Sequence, residues 1–185
     1  MKRQGLYRMV VTAVLLAVGM VLPFLTGQLQ TIGKLISPLH IPAFICGLTC
    51  GPWWGAVLGL VLPILRSVVF GMPKLMPTAV AMMFELAAYG LVSGLVYPAL
   101  CKVLKQKRLV AMLLALVMAM LVGRLAGGAA QAVILGVQGS GYGFEAFVAS
   151  YFTGTLVGAA IHLVVVPVVV LALEKAKLSP VRAQA

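Results

Sequence analysis

The 185-residue sequence is short of charge: it contains no aspartate, only three glutamates, and 9% charged residues in all. A soluble domain carries about 25% charged residues, which it needs to cover a surface that faces water. Hydrophobic residues make up 63% of this chain. The composition therefore predicts a protein whose solvent is lipid, with one domain over 1–185 and room for about six helices of about 20 residues.

Motifs for chemical reactions are also missing. Without aspartate, paired-carboxylate catalysis and magnesium chemistry are both disfavoured. The sequence contains neither the G-x-x-x-x-G-K-[ST] loop that binds ATP nor the zinc motif H-E-x-x-H. Three cysteines make no disulfide framework, and Cys46 and Cys50 are better explained as small buried residues than as metal ligands. We therefore expect a chain with no catalytic residue, no cofactor and no metal of its own.

The apolar segments predict an all-α membrane protein, a single bundle of six transmembrane helices. The second segment is short for a crossing, so that it either begins earlier, within 33–38, or is partly re-entrant. Gly51-Pro52 predicts a break after it, because proline disfavours helix in the preceding residue. The predicted helices span 6–25, 39–50, 53–71, 77–101, 109–137 and 147–173.

The positive charges predict the orientation of the bundle. The loops 26–38, 72–76 and 138–146 contain only Lys34 and Lys74, whereas ten cations lie at the other ends of the helices. Cations accumulate on the cytoplasmic side of membrane proteins, so both termini are predicted to lie inside and the charge of +11 needs no nucleic acid. The ten cations are Lys2, Arg3, Arg8, Lys102, Lys105, Lys107, Arg108, Lys175, Lys177 and Arg182.

Polar residues at membrane depth are costly and are functional candidates by default. Five of the six candidates fall in the outer half of the predicted bundle, and Arg124 lies near its middle. Groups from four helices at one depth predict a polar cavity open to the outside. The predicted substrate-binding residues are His40, Arg66, Glu85, Tyr89, Arg124 and Gln131.

Alternative interpretations exist for three of the polar residues. Arg66 and Glu85 would also form a structural ion pair that clamps the bundle. Arg124 would also cap a backbone break near Gly127-Gly128. His162 is better explained by a hydrogen bond to a neighbouring helix than by a contact with substrate.

Small residues recur at four-residue spacing in three predicted helices, which allows helices in lipid to approach closely. The spacing by itself does not distinguish packing inside the bundle from docking onto a partner. The pairs are Ala13 and Ala17, Gly90 and Gly94, and Gly154 and Gly158.

Several stretches together resemble the S-components of energy-coupling-factor (ECF) vitamin importers, a family of small six-helix substrate binders in bacterial plasma membranes. The resemblance covers nearly the whole chain and is most specific in its central part. It rests on S-P-L-H-I-P at 37–42 with C-G at 46–47, L-P-I-L-R-S at 62–67, F-G-M-P at 70–73, F-E-L-A-A-Y-G at 84–90, and G-A-A-I-H-L at 158–163 followed by Pro167 and L-E-K at 173–175.

The resemblance implies a function. An S-component captures a vitamin from outside and docks on a transmembrane coupling subunit that carries two ATPases, where ATP is hydrolysed. Ala13 and Ala17 match the docking motif of the family, and the substrate is expected under the outer loops. Glutamine is commoner in the family where this chain has His162. Because Arg66, Arg124 and Lys34 favour a carboxylate, pantothenate is the first candidate; a pyridoxine-like compound, a pyrimidine precursor and a corrinoid-pathway precursor stay open.

Two other classes of function remain as alternatives. The first is a solitary secondary carrier driven by an ion gradient, although the sequence lacks the internal repeat that many such carriers show. The second is a membrane enzyme such as an intramembrane protease, which the absence of aspartate and of a nucleophile motif disfavours.

Overall fold

The computed structural model describes residues 2–26, 36–105, 107–176 and 178–179, and all regular structure within these ranges is helical. This confirms the predicted all-α class. Short 3-10 segments cover Leu22–Thr26 and Thr153–Thr155, and an irregular turn covers Leu75–Ala79. The helices are α1 (Lys2–Val21), α2 (His40–Cys50), α3 (Pro52–Phe70), α4 (Val80–Leu104), α5 (Arg108–Val137), α6 (Phe144–Tyr151) and α7 (Leu156–Lys175).

Five helical segments are long and apolar enough to cross a membrane. Helix α2 has 11 residues, about 16 Å of helix, and is shorter than a hydrocarbon core of about 30 Å. Residues 33–35, where an earlier start of this helix was predicted, lie outside the described residues. The count of six crossings and the inside location of both termini therefore stay predictions. The five segments are Gln4–Phe24, Pro52–Phe70, Leu75–Leu104, Arg108–Val137 and Phe144–Lys175.

The break between α2 and α3 lies where Gly51-Pro52 predicts it. Gly51 has a φ of 104°, which costs glycine little because it has no Cβ, and Pro52 occupies the first position of α3. Gly71 ends α3 in the left-handed conformation with a φ of 70°. The two glycines thus set both ends of α3.

The last predicted helix, 147–173, begins earlier in the structure and is interrupted. Helix α6 starts at Phe144, and the chain leaves the α-helix between Tyr151 and Leu156. The Thr155 hydroxyl donates to the backbone oxygen of Tyr151 at 2.8 Å, so that a side chain competes with the backbone for that carbonyl. Hydropathy is continuous across this point, which is why the apolar pattern does not show the interruption.

Helix α2 is the centre of the bundle. Every residue from Pro42 to Cys50 is buried, and the helix packs against α1, α3, α4 and α7. Helix α4 lies between α3 and α5, and α7 packs against α2 and α5. Among the described helices, α1 lies at the edge, packs against α2 and α3, and keeps one apolar face exposed.

Glycines bring the backbones of α2, α3 and α4 into contact. A Cβ atom added to Gly55 would lie 2.7 Å from the Cα of Gly47 and 2.9 Å from the Cα of Gly90. A Cβ on Gly94 would lie 2.6 Å from the backbone nitrogen of Pro52. The Gly90 and Gly94 pair is therefore used for packing inside the bundle.

Candidate functional site

Five polar side chains from four helices are buried together toward the end of the bundle that carries the loops 71–79 and 138–143. We call them the polar cluster. None is more than 8% exposed, although all five are ionisable side chains. Their concentration inside an apolar bundle is the feature that requires an explanation. The members are His40 of α2, Glu85 and Tyr89 of α4, Arg124 of α5 and His162 of α7.

Glu85 and Tyr89 are joined within one helix. They lie four residues apart, which places both side chains on the same face of α4, and the Tyr89 hydroxyl donates to Glu85 Oε1 at 2.5 Å. The Tyr89 ring stacks on Phe44 of α2 with 4.6 Å between centroids. Helical spacing and an aromatic neighbour thus hold the carboxylate in one orientation.

His40 stands between Glu85 and His162. Its Nε2 lies 3.9 Å from Glu85 Oε2, and its ring meets that of Tyr89 edge-on at 5.2 Å and that of His162 at 5.6 Å. His162 Nε2 lies 3.2 Å from the backbone oxygen of Ser37. This contact ties α7 to the segment before α2, and agrees with the structural role expected for His162.

Arg124 brings positive charge to the polar cluster. Its charge acts on Glu85, Tyr89 and both histidines. Its Nη2 donates to the backbone oxygen of Thr155 at 3.4 Å, and its guanidinium lies 5.5 Å from the centroid of Phe152. The backbone break predicted near Gly127-Gly128 is wrong, because α5 runs uninterrupted to Val137. The irregular backbone that Arg124 does reach lies between α6 and α7.

Two glycines of α5 allow the polar cluster to form. A Cβ on Gly123 would lie 2.3 Å from Tyr89 Cδ1, and one on Gly127 would lie 2.8 Å from Glu85 Cβ. Helix α5 can therefore approach α4 directly opposite the Glu85 and Tyr89 pair. Sequence reasoning did not assign these glycines to the site; the signal was their four-residue spacing around Arg124.

Gln131 lies beside the polar cluster, in contact with α6. Its Oε1 accepts a hydrogen bond from the Tyr151 hydroxyl at 2.8 Å, and the Tyr151 ring also approaches Gly127. The Phe147 ring lies 5.7 Å from that of Tyr151. These aromatic residues were not among the predicted site residues, because aromatic side chains are common in apolar helices without any role in binding.

Arg66 is placed apart from the polar cluster. Its Nη1 donates to the backbone oxygen of Met20, near the end of α1. Its guanidinium lies 5.3 Å from the ring centroids of both Phe24 and Phe70. No ion pair joins Arg66 to Glu85, both of which the structure describes, so the clamp proposed for this pair is wrong. Lys34, the third predicted cation of the site, lies outside the described residues.

Ala13 and Ala17 both lie on the exposed face of α1. The apolar neighbours Val10, Val14 and Val18 are between 44% and 58% exposed on the same helix. The predicted docking residues Ala13 and Ala17 therefore do not pack inside the bundle, whereas Gly90 does.

The polar cluster offers groups of the kinds that bind small polar molecules. It combines one carboxylate, one guanidinium, two imidazoles and a phenol with the flat faces of several aromatic rings. Among the described residues no three His, Cys, Asp or Glu side chains come together as metal ligands. A few hydrogen-bonding groups among mainly apolar side chains are typical of sites that fix the orientation of a small ligand.

Comparison with known proteins gives one match. The family model for the substrate-specific component of ECF transporters matches residues 7–176. No curated protein and no solved structure matches the chain.

Proposed function

The chain belongs to the substrate-specific components of ECF transporters, and on this basis we propose that it captures a water-soluble vitamin or vitamin precursor from outside the cell. The observation that carries the proposal is the polar cluster, buried in a chain that matches a family of substrate binders. The bound molecule would then pass inward with the help of an energising module.

Membership of the family settles the broader class. Substrate-specific components are multi-pass membrane proteins that bind small molecules, and they are transport subunits rather than enzymes. They work with a membrane coupling subunit and with ATPases, and the bacterial plasma membrane fits this location. For this chain we propose that ATP is hydrolysed only on two partner ATPases and that the chain itself holds no cofactor.

We place the substrate contacts on His40, Glu85, Tyr89 and Arg124, with Gln131 as a neighbour that acts through Tyr151. These residues come from α2, α4 and α5, so that a ligand between them would touch helices far apart in the sequence. Arg66 is not placed among the substrate contacts, because its guanidinium contacts Met20 of α1, Phe24 of the 3-10 segment that follows, and Phe70 of α3.

Binding by the purified subunit tests the proposed function. The protein, prepared in lipid nanodiscs, is expected to carry or bind a vitamin-sized molecule, detected by native mass spectrometry and titration calorimetry. Glu85→Ala should weaken binding at least about tenfold, since a hydrogen bond to a charged group contributes about 1.5–3 kcal/mol. Glu145→Ala, in an exposed first turn of α6, is the matched control and should leave binding unchanged. Normal binding by Glu85→Ala would exclude this site.

Pantothenate is the first molecule to test, because the cations that the sequence places near the proposed site favour a carboxylate. Pyridoxine, an aminopyrimidine alcohol and corrinoid precursors complete the panel.

A transport measurement separates the proposed function from an ion-gradient carrier. Liposomes that contain this chain alone should show no uptake, whereas liposomes that also contain the coupling subunit and the ATPases should take up substrate when ATP is supplied. Uptake by the chain alone would support the carrier.

We propose that the exposed face of α1 at Ala13 and Ala17 contacts the coupling subunit. Small side chains allow close approach of two helices, and larger ones would hold the helices apart. The double change Ala13→Leu and Ala17→Leu should reduce co-purification of the coupling subunit and leave ligand binding intact. Ala129→Leu, on an exposed face of α5, is the control. Assembly that tolerates both leucines on α1 would place the docking surface elsewhere.

A further inference from the structure

Four positive side chains lie around the turn that joins α4 to α5. Helix α4 begins beside the loop 71–79 and ends at Leu104, so this turn lies at the end of the bundle opposite the polar cluster. The Lys107 backbone nitrogen donates to the Leu104 oxygen at 3.0 Å, which closes a tight turn. All four side chains are exposed, and we call them the basic turn: Lys102, Lys105, Lys107 and Arg108.

The chain supplies no carboxylate to the basic turn. Among the described residues, no ion pair joins any of these four cations to an acidic side chain. The sequence has three glutamates, and all three are described: Glu85 lies in the polar cluster, Glu145 lies in α6, and Glu174 accepts a hydrogen bond from the Tyr97 hydroxyl at 3.4 Å. A specific counter-charge for the basic turn therefore comes from outside the chain.

An exposed row of apolar side chains on α5 begins beside the basic turn. Its members recur at spacings of four, three and four residues, which places them on one face of the helix. Each is between 40% and 49% exposed. We call them the apolar stripe, and they are Val110, Leu114, Val117 and Leu121.

The apolar stripe has the length of one lipid leaflet. From Val110 to Leu121 it extends about 16 Å, at about 1.5 Å per residue. Half of a hydrocarbon core of about 30 Å is about 15 Å. Lys107 precedes Val110 by three residues and so continues the same face at the start of α5. Cations at one end and apolar side chains along the helix match a phosphate that carries an acyl chain.

We propose that the basic turn and the apolar stripe together bind one anionic phospholipid, with its phosphate on Lys107 and Arg108 and an acyl chain along α5. Lysine and arginine both bind phosphate, and arginine can do so through two parallel hydrogen bonds. A zwitterionic headgroup brings its own cation, which the basic turn repels, so the surface distinguishes lipids by charge. This surface lies outside the polar cluster, and the inference goes beyond the proposed function.

A lipid titration followed by native mass spectrometry tests the charge selectivity. The protein in detergent micelles is titrated with phosphatidylglycerol or with phosphatidylcholine that carries the same acyl chains. The first phosphatidylglycerol should be retained at a concentration at least about tenfold lower, because each cation near an anionic lipid contributes a factor of about five. Equal retention of the two lipids would overturn the inference.

Glutamine substitutions locate the lipid. Lys107→Gln should weaken the retention of phosphatidylglycerol about fivefold, and a triple variant that adds Lys105→Gln and Arg108→Gln should retain it no better than phosphatidylcholine. Lys175→Gln is the matched control, because it removes one exposed cation at the end of α7 and should leave retention unchanged. An equal loss in Lys107→Gln and Lys175→Gln would mean that the lipid is attracted by the whole positive end, and would overturn the site.

Further measurements separate a lipid from other partners. An excess of glycerol 1-phosphate should not displace phosphatidylglycerol, because it carries the phosphate without an acyl chain; displacement would overturn the role of the apolar stripe. If the triple variant keeps its lipid and instead loses the coupling subunit on co-purification, the basic turn binds a protein and the inference is wrong. SDS unfolding curves verify that every variant is folded before retention is compared.

Discussion

The buried polar residues of this bundle differ in how completely the protein supplies their partners. Arg66 has its partners supplied by the protein: a backbone oxygen at the end of α1 and two phenylalanine rings. The described residues meet only part of the hydrogen-bonding capacity of Glu85 and His40. A buried group with unmet capacity is destabilising in the free protein and favours a ligand that completes it.

Tyr89→Phe removes the hydroxyl that orients Glu85 and keeps the ring that stacks on Phe44. We expect ligand affinity to fall about tenfold, because a hydrogen bond to a carboxylate contributes about 1.5–3 kcal/mol. Titration calorimetry measures the loss. Tyr97→Phe is the matched control on the same helix, since the Tyr97 hydroxyl donates to Glu174 and lies outside the polar cluster. Equal affinities for Tyr89→Phe and the wild type would show that the Glu85 orientation is set by other contacts.

Arg66→Ala tests the second kind of polar residue. It removes a hydrogen bond and two contacts with aromatic rings, so we expect a loss of roughly 2–4 kcal/mol in unfolding free energy. Denaturant or SDS titration measures this loss, and the exposed Lys74→Ala should be neutral. If Arg66→Ala keeps its stability and instead loses ligand affinity, Arg66 contacts substrate, as its sequence position first suggested.

Among the helices, α2 has the most constrained role. Its 11 residues are shorter than a typical hydrocarbon core, yet it lies at the centre of the bundle and supplies His40 and Phe44 to the proposed site. Its contact with α3 and α4 depends on Gly47, Gly55 and Gly90, where backbones touch without side chains between them. In lipid, where apolar side chains gain little by leaving the solvent, such close backbone packing is a main source of stability.

Gly55→Ala tests this contact. The added methyl group would overlap with the backbones of Gly47 and Gly90, neither of which can turn away, so we expect a loss of about 1–3 kcal/mol in unfolding free energy. Gly136→Ala, where a Cβ meets no atom within 4 Å, should be neutral or slightly stabilising. The SDS unfolding curves of the two variants and the wild type measure the change in stability. Similar curves for the two variants would mean that the three helices can separate at low cost.

At the scale of the whole molecule, the proposed binding site and the proposed docking surface lie on different parts of the bundle. The polar cluster lies toward the end that carries the loops 71–79 and 138–143, among α2, α4, α5 and α7. The face of α1 with Ala13 and Ala17 lies at the edge of the bundle, and among the described helices α1 packs against α2 and α3. Helix α2 contacts α1 and also supplies His40 to the polar cluster, so the two proposed sites have this helix as a common neighbour.

Cysteine labelling tests the predicted orientation of the bundle. Lys74 and Lys105 are exposed at opposite ends of α4, and Cys46 and Cys50 are fully buried. In a Cys101→Ser background, Lys74→Cys should react with a membrane-impermeant maleimide in intact cells, and Lys105→Cys only after permeabilisation. The scarcity of cations in the outer loops is the physical reason for this expectation. The reverse pattern of labelling would invert the bundle and place the polar cluster toward the cytoplasm.

The sequence by itself determined that the protein lies in lipid, that it is helical, and to which family it belongs. Each of these depends on local properties: too little charge to face water, apolar runs of membrane length, and motifs such as F-E-L-A-A-Y-G whose residues are neighbours in the chain. Even the Glu85 and Tyr89 pair could be predicted, since a separation of four residues on a helix places two side chains on one face.

Only the tertiary structure decided which polar residues meet. Arg66 and Arg124 look alike in the sequence, each a lone cation in an apolar helix, but α3 directs one toward the end of α1 and α5 directs the other toward Glu85. Such outcomes depend on how closely two backbones approach, which Gly123 and Gly127 permit by having no side chains. The interruption at Thr153–Thr155 escaped the sequence for a related reason: it depends on hydroxyl groups that compete for backbone oxygens, which hydropathy does not measure.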